Sequence, residues 1–166
     1  VFEVFEKKLN SKPEIIINFQ GDMPNLNPNA IKDLAAHMQK NLCDIATLAS
    51  HIENEFEEKD PNVVKVLTSQ KIINKTFSQA LDFFRTSNKP LNETTYHHVG
   101  IYAFTNKALI RYVSLKRSKL ETERKLEQMR AIENQMKINV GFIDTCPLSV
   151  DTENDLKQVR KIMEKK

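Results

Sequence analysis

Two carboxylates, far apart in the chain, occupy places where chemistry could happen. Asp22 lies in NFQGDMP and Asp151 in PLSVDTENDL, each just beyond a short apolar run. In open α/β sheets, ligands bind outside the carboxyl ends of the strands, which is where both would fall. If those strands are neighbours the carboxylates face each other, and like charges held close need a proton or a cation between them. Mg²⁺ suits such a pair: it is hard, takes one or two carboxylates, and fills its other positions with water and phosphate oxygens. Each residue also has a plainer reading, Asp22 as a turn residue after a strand and Asp151 as a residue at a helix N-terminus. Gly21 is expected to let the backbone turn sharply there and Pro24 to stiffen the exit.

Other chemical residue types offer less. His37 falls in a helical pattern and His51 at a strand end; His97 and His98 are adjacent on a strand, point to opposite faces and cannot chelate one ion together. No Ser–His–Asp or Cys–His arrangement stands out. Cys43 and Cys146 read as reduced, packed thiols without disulfide or metal spacing. The three glycines, Gly21, Gly100 and Gly141, can write neither GxGxxG nor GxxxxGK[ST], so a glycine-rich phosphate loop is excluded.

The elements that must position these groups alternate between strand and helix. Residues 14–19 (EIIINF) read as a buried strand of a parallel sheet, 28–41 as a helix, and 44–50 and 62–68 as further strands. Residues 51–60 read as a charged surface excursion and 86–95 as a loop. A strand at 97–104 and a short helix at 106–113 follow. One helix is expected over 119–135, with Leu126, Met129, Ile132 and Met136 on one face and Glu121–Lys125 as a supporting ion pair. A strand at 137–143 and a helix at 152–165, capped by Thr152 with Asp155, close the chain. This beat is the signature of α/β architecture. Val1, Phe2, Phe5 and Leu9 form a helical stripe that needs a partner surface, so the chain is expected to begin inside a domain.

Composition narrows the class. At 166 residues, with 40% hydrophobic and 28% charged residues, the chain is one ordinary globular domain, not a collagen-like, mucin-like or disordered one. No apolar run reaches membrane-spanning length, and a net charge of +3 is too weak to argue for nucleic acid.

NFQGDMP, HHVGIY, LEQMR and VDTENDL, in this order and with compatible spacing, resemble the 3-deoxy-manno-octulosonate (Kdo) cytidylyltransferases, the CMP-Kdo synthetases of lipopolysaccharide synthesis. The resemblance covers the later, larger part of such enzymes. It implies an α/β fold with a Rossmann-like nucleotide-sugar transferase sheet, here lacking the N-terminal strand and phosphate loop, as one N-terminally incomplete cytidylyltransferase domain over 1–166. It also implies Mg²⁺-dependent transfer of CMP from CTP to Kdo, giving CMP-Kdo and pyrophosphate, by a cytoplasmic homodimer with no nucleic-acid partner and no membrane insertion. On the same ground Asp22 and Asp151 match the catalytic carboxylates that hold Mg²⁺, and Gln20 matches a sugar-contacting amide. His98 and Tyr102, which share a strand face, match residues lining the Kdo pocket, and Glu127 and Gln128 match helix residues that reach sugar hydroxyls. The plainer readings are a salt bridge to Arg130 for Glu127 and a half-buried strand aromatic for Tyr102.

Departures from the family pattern are equally specific. Gln79 stands where the family has an Arg expected to pair with the substrate carboxylate, Asp82 and Phe83 replace Ile-Pro, and Met23 replaces Glu. A neutral amide cannot match a bidentate guanidinium. Activity of this chain alone is therefore expected to be weak or absent. The alternatives are a non-catalytic remnant or interaction module derived from such an enzyme and, further off, a sialic-acid cytidylyltransferase.

Overall fold

An eleven-residue strand, β5 (Thr95–Thr105), organises the molecule because three others pair with it. The computed structural model describes residues 1–166 except 10, 11, 41, 74, 75, 89, 151, 165 and 166. In chain order the elements are α1 (Phe2–Lys7), β1 (Ile15–Asn18), α2 (Pro28–Met38), β2 (Ile45–Ser50), α3 (Glu55–Lys59), β3 (Lys65–Thr68) and β4 (Phe77–Phe84). After β5 come α4 (Asn106–Ser114), α5 (Lys119–Arg124), α6 (Met129–Glu133), β6 (Ile138–Phe142) and α7 (Glu153–Met163). The sheet runs β1-β5-β2-β6-β4-β3, and β3 also pairs with β5.

The strand–helix alternation gives the expected mixed α/β architecture, with three corrections. The strand at 15–18 is not buried in a parallel sheet: β1 is half-buried and antiparallel to β5, and among the six strands only β2 and β6 pair in parallel. The charged excursion contains a short helix, α3, capped by the Asn54 side chain. The helix expected over 119–135 is two helices, because Lys125 takes a left-handed conformation (φ 53°, ψ 46°). Thr152 and Asp155 form their capping box at α7 as expected.

The core lies on both faces of the sheet. Ile45 and Ala49 of β2 pack with Phe5, Phe83, Tyr96 and Met129 on one face, while Ala46 and Leu48 pack with Leu34 and Met38 of α2 on the other. This is the period-two alternation of a strand buried on both sides. Of the N-terminal stripe, Phe5 is buried and Val1 and Leu9 are exposed. Gly141 of β6 answers a close approach: a Cβ there would stand 2.6 Å from the Phe77 ring, which is stacked on His37 at 3.7 Å. Among the described residues no helix is long and apolar enough to cross a membrane.

Candidate active site

Gln20, His98, Tyr102, Glu127 and Gln128, scattered over more than a hundred positions of sequence, line one cleft of about 620 Å³. That volume falls in the range of small-ligand sites. Arg85, Lys125, Asn18 and Tyr112 complete its polar side-chain lining.

A bulge in β5 aims the strand residues. Thr47 of β2 pairs with Tyr102 and the next residue, Leu48, pairs with Val99, so Gly100 and Ile101 have no partners on β2. Two extra residues preserve the two-residue period, and His98 and Tyr102 stay on one face, with ring centroids 5.4 Å apart. Thr47 fills the bulge: its hydroxyl lies 2.7 Å from the Ile101 carbonyl oxygen, 3.2 Å from that of Val99 and 2.9 Å from His98 Nε2. Burial, and then the neighbouring His97, push the His98 pKa down to about 3, so the ring is neutral at physiological pH. Burial raises the Tyr102 phenol above its ordinary value, leaving it a neutral O–H.

The helix break presents Glu127 and Gln128. Glu121, 5% exposed, accepts Arg130 Nε at 2.8 Å and Arg130 Nη2 at 2.5 Å. Nine residues of unbroken helix would separate this pair by roughly 13.5 Å, so it closes only because the chain turns back at Lys125. The Tyr112 hydroxyl donates to the Glu127 carbonyl oxygen at 3.0 Å and pins the turn. Two expectations fail here together: Glu121 does not pair with Lys125, and Arg130 is engaged by Glu121 rather than by Glu127.

The cleft's cations come from places where sequence gave little signal. Arg85 immediately follows β4; its Nη1 donates to the Pro61 carbonyl oxygen at 3.0 Å. Its own carbonyl accepts the Nζ of Lys65, a fully buried lysine that also donates to the Asp60 carbonyl. Gln79 sits near the other end of β4, exposed and opposite Asn139, and does not line the cleft. Six residues of strand put it roughly 20 Å from Arg85.

Asp22 follows Gln20 by two residues and is not itself part of the cleft lining. Residues from the far end of the chain lace onto its turn: Val150 N donates to the Asp22 carbonyl at 2.9 Å, Ser149 Oγ lies 3.4 Å from Asp22 Oδ2, and Leu148 N donates to Asn25 Oδ1. Asp22 Oδ1 is buried and has no hydrogen-bond partner among the described residues. A carboxylate oxygen removed from water and left unpaired fits a hard cation. Asp151 lies outside the described residues, and among those described no three His, Cys, Asp or Glu side chains converge as a metal cluster. The chain does turn at Gly21, but the turn does not require glycine: its φ is not positive, and a Cβ there would meet open space.

The fold also makes a Cys–His contact that spacing did not suggest. Cys146 Sγ lies 3.6 Å from His97 Nδ1, which Glu57 also contacts. Burial and, less strongly, Glu57 and Glu53 raise the Cys146 pKa, which keeps it a thiol rather than a nucleophilic thiolate. Both cysteines are free.

Residues 1–138 match the family model described as cytidylyltransferase. The 3-deoxy-manno-octulosonate cytidylyltransferase of Bartonella tribocorum is 43% identical over 164 residues, covering 96% of this chain and 67% of the relative. That of Bartonella bacilliformis is 45% identical over 148 residues, 89% of this chain and 60% of the relative. A solved CMP:2-keto-3-deoxy-manno-octonic acid synthetase, complexed with CTP, superposes with a TM-score of 0.82 at 31% identity, covering 93% of this chain and 64% of that one. A 4-diphosphocytidyl-2C-methyl-D-erythritol synthase from Anaerococcus prevotii, at 14% identity, shares the Rossmann-like fold alone, with a TM-score of 0.60 over 98% of this chain and 64% of that one. The chain thus spans about two thirds of the length of the relatives it matches. By sequence and fold together, it belongs to the 3-deoxy-manno-octulosonate cytidylyltransferase family.

Proposed function

We propose that this chain carries the sugar-acid site and the metal carboxylates of a Mg²⁺-dependent cytidylyltransferase that moves CMP from CTP to Kdo, releasing pyrophosphate, for lipopolysaccharide synthesis. The carrying observation is that all five residues matched to sugar contacts line one cleft together with two cations. In this reading Arg85 and Lys125 draw in the Kdo carboxylate, with the guanidinium offering a bidentate fork. Tyr102 donates to a sugar oxygen, and Gln20, Glu127 and Gln128 bind hydroxyls and hold the ring in one orientation. Asp22 and Asp151 would hold Mg²⁺; bound there, it supplies charge neutralisation at the α-phosphate and orientation of the attacking hydroxyl. The family resemblance supports a cytoplasmic homodimer as the working form.

Gln79 motivated the rival reading of a non-catalytic remnant or interaction module. Its place outside the cleft, and the presence of Arg85 within it, weaken that motive. The test has two readouts. Calorimetric titration with Kdo is expected to show saturable binding, abolished by Arg85→Gln. Pyrophosphate release from CTP, Mg²⁺ and Kdo is expected to be slight, since the relatives are half as long again. Absence of Kdo binding would sink the sugar-site reading.

A further inference from the structure

We infer that Thr47 is a positioning residue for the cleft: it fixes His98 as the Nε2–H tautomer and so presents Nδ1 as a bare acceptor for a ligand hydroxyl. The part naming the ligand rests on the sugar-site reading above; the tautomer does not.

A single proton decides the arrangement. A threonine hydroxyl donates once and accepts with its lone pairs. Thr47 Oγ1 faces two carbonyl oxygens, Ile101 at 2.7 Å and Val99 at 3.2 Å, and a carbonyl can only accept. Those carbonyls flank the residues that the bulge leaves without partners on β2, and a buried carbonyl deprived of its donor is costly. The hydroxyl proton therefore goes to the carbonyls, with Ile101 nearest. What remains towards His98 is a lone pair, 2.9 Å from Nε2. Two acceptors cannot share that distance, so Nε2 carries the hydrogen and donates it to Thr47.

The ring is neutral, as its depressed pKa requires, so it has one N–H and Nδ1 is unprotonated. Nδ1 takes no hydrogen bond among the described residues, although His98 lines the cleft. Packing holds this assignment: Phe83 meets the imidazole edge-on at 5.1 Å and 81°, Tyr102 lies 5.4 Å away, and the His98 backbone N–H is tied to the Val64 carbonyl at 2.9 Å. The bulge thus becomes a specificity device. An acceptor at this point of the wall welcomes a ligand O–H and rejects a carbonyl, an ether or a carboxylate oxygen.

The test is ¹⁵N NMR of the histidine-labelled chain near neutral pH, with His98 assigned by comparison with His98→Gln. Wild type is expected to show a pyrrole-type Nε2 and a pyridine-type Nδ1. Thr47→Ser, which keeps the hydroxyl, is expected to preserve this pattern, and Thr47→Val to shift it towards Nδ1–H. A wild-type Nδ1–H ring overturns the inference even if Thr47→Val fails to fold; so does a Thr47→Val ring identical to wild type. Kdo titration should then perturb the Nδ1 signal, and Thr47→Val should weaken Kdo binding about tenfold, the scale of one lost hydrogen bond. Binding that leaves Nδ1 untouched overturns the acceptor role. Failure of Kdo to bind at all, with the tautomer as expected, counts against the sugar-site reading and not against the positioning.

Discussion

Two carboxylates in this molecule have oxygens withdrawn from water, and their surroundings are opposites. Glu121 has both oxygens taken: Arg130 grips it with two nitrogens, and the Ser118 backbone N–H donates to Oε2 as half of a capping box. Asp22 has a loose contact from Ser149 on one oxygen and, among the described residues, nothing on the other, which is buried. Burial alone does not distinguish architecture from site. The count of filled lone pairs does: Glu121 is saturated by its own chain and fixes the helix break, while Asp22 leaves a position open to an added cation or a water.

The largest effect should come from emptying the saturated site. Glu121→Ala leaves the half-buried Arg130 guanidinium without its counter-charge, and losing its charge-assisted hydrogen bonds should cost about 1.5–3 kcal/mol. Urea denaturation should show that loss, and Kdo binding should fall with it because Glu127 and Gln128 lose their turn. A cost below about 1 kcal/mol would mean the break is held by core packing alone. The same pair predicts an acid limb. Hydrogen bonding to Arg130 holds the Glu121 carboxyl below its ordinary value. Its contribution is therefore full above the unfolded carboxyl pKa of about 4.3 and is lost as pH falls through the folded value. Glu121→Gln should flatten that part of the stability–pH curve.

Lys125 stands between the two kinds of region, since it both turns the chain and lines the cleft. Its left-handed conformation is one that glycine adopts without the Cβ penalty. Lys125→Gly should therefore raise stability by about 0.5–1 kcal/mol while weakening Kdo binding, because a cleft cation is gone. Opposite signs in the two measurements would separate the turn from the charge. A fall in both would show that the side chain supports the fold.

Much of this was legible in the sequence, and what was not has identifiable causes. Periodicity found α2, β2, α4, β6 and the Thr152 cap, because each packs with an undisturbed repeat. It missed β4, whose buried residues are Ser78, Ala80 and Phe83: two are small, and a register shift opposite Leu67/Thr68 breaks the alternation before the third. It ran α5 into α6 because Leu126, Met129 and Met136 are all buried, as one helix would have them, and apolar spacing does not register a left-handed residue between them. Motif resemblance singled out Gln20, His98, Tyr102, Glu127 and Gln128 of the candidate site, which the fold brings to one cleft. Arg85, Lys125 and Thr47 carried no local signal, since their placement arises from a strand end, a turn and a bulge that only the assembled sheet creates.

The smallest change in stability, and the sharpest test of the contrast, belongs to Asp22→Asn. The substitution keeps the shape and removes a charge whose buried oxygen has no partner among the described residues, so it should alter the unfolding free energy by no more than about 1 kcal/mol, and towards greater stability. What it should remove is a response. A ligand that binds only the folded chain raises its melting temperature by mass action, so wild type should melt higher as Mg²⁺ is raised through the millimolar range, and Asp22→Asn should not. If wild type ignores Mg²⁺, the unpaired oxygen is a structural flaw and not a site. If both proteins respond alike, the cation binds elsewhere. A response confined to the wild type would make the bare oxygen of Asp22 the ligand that the filled oxygens of Glu121 can never be.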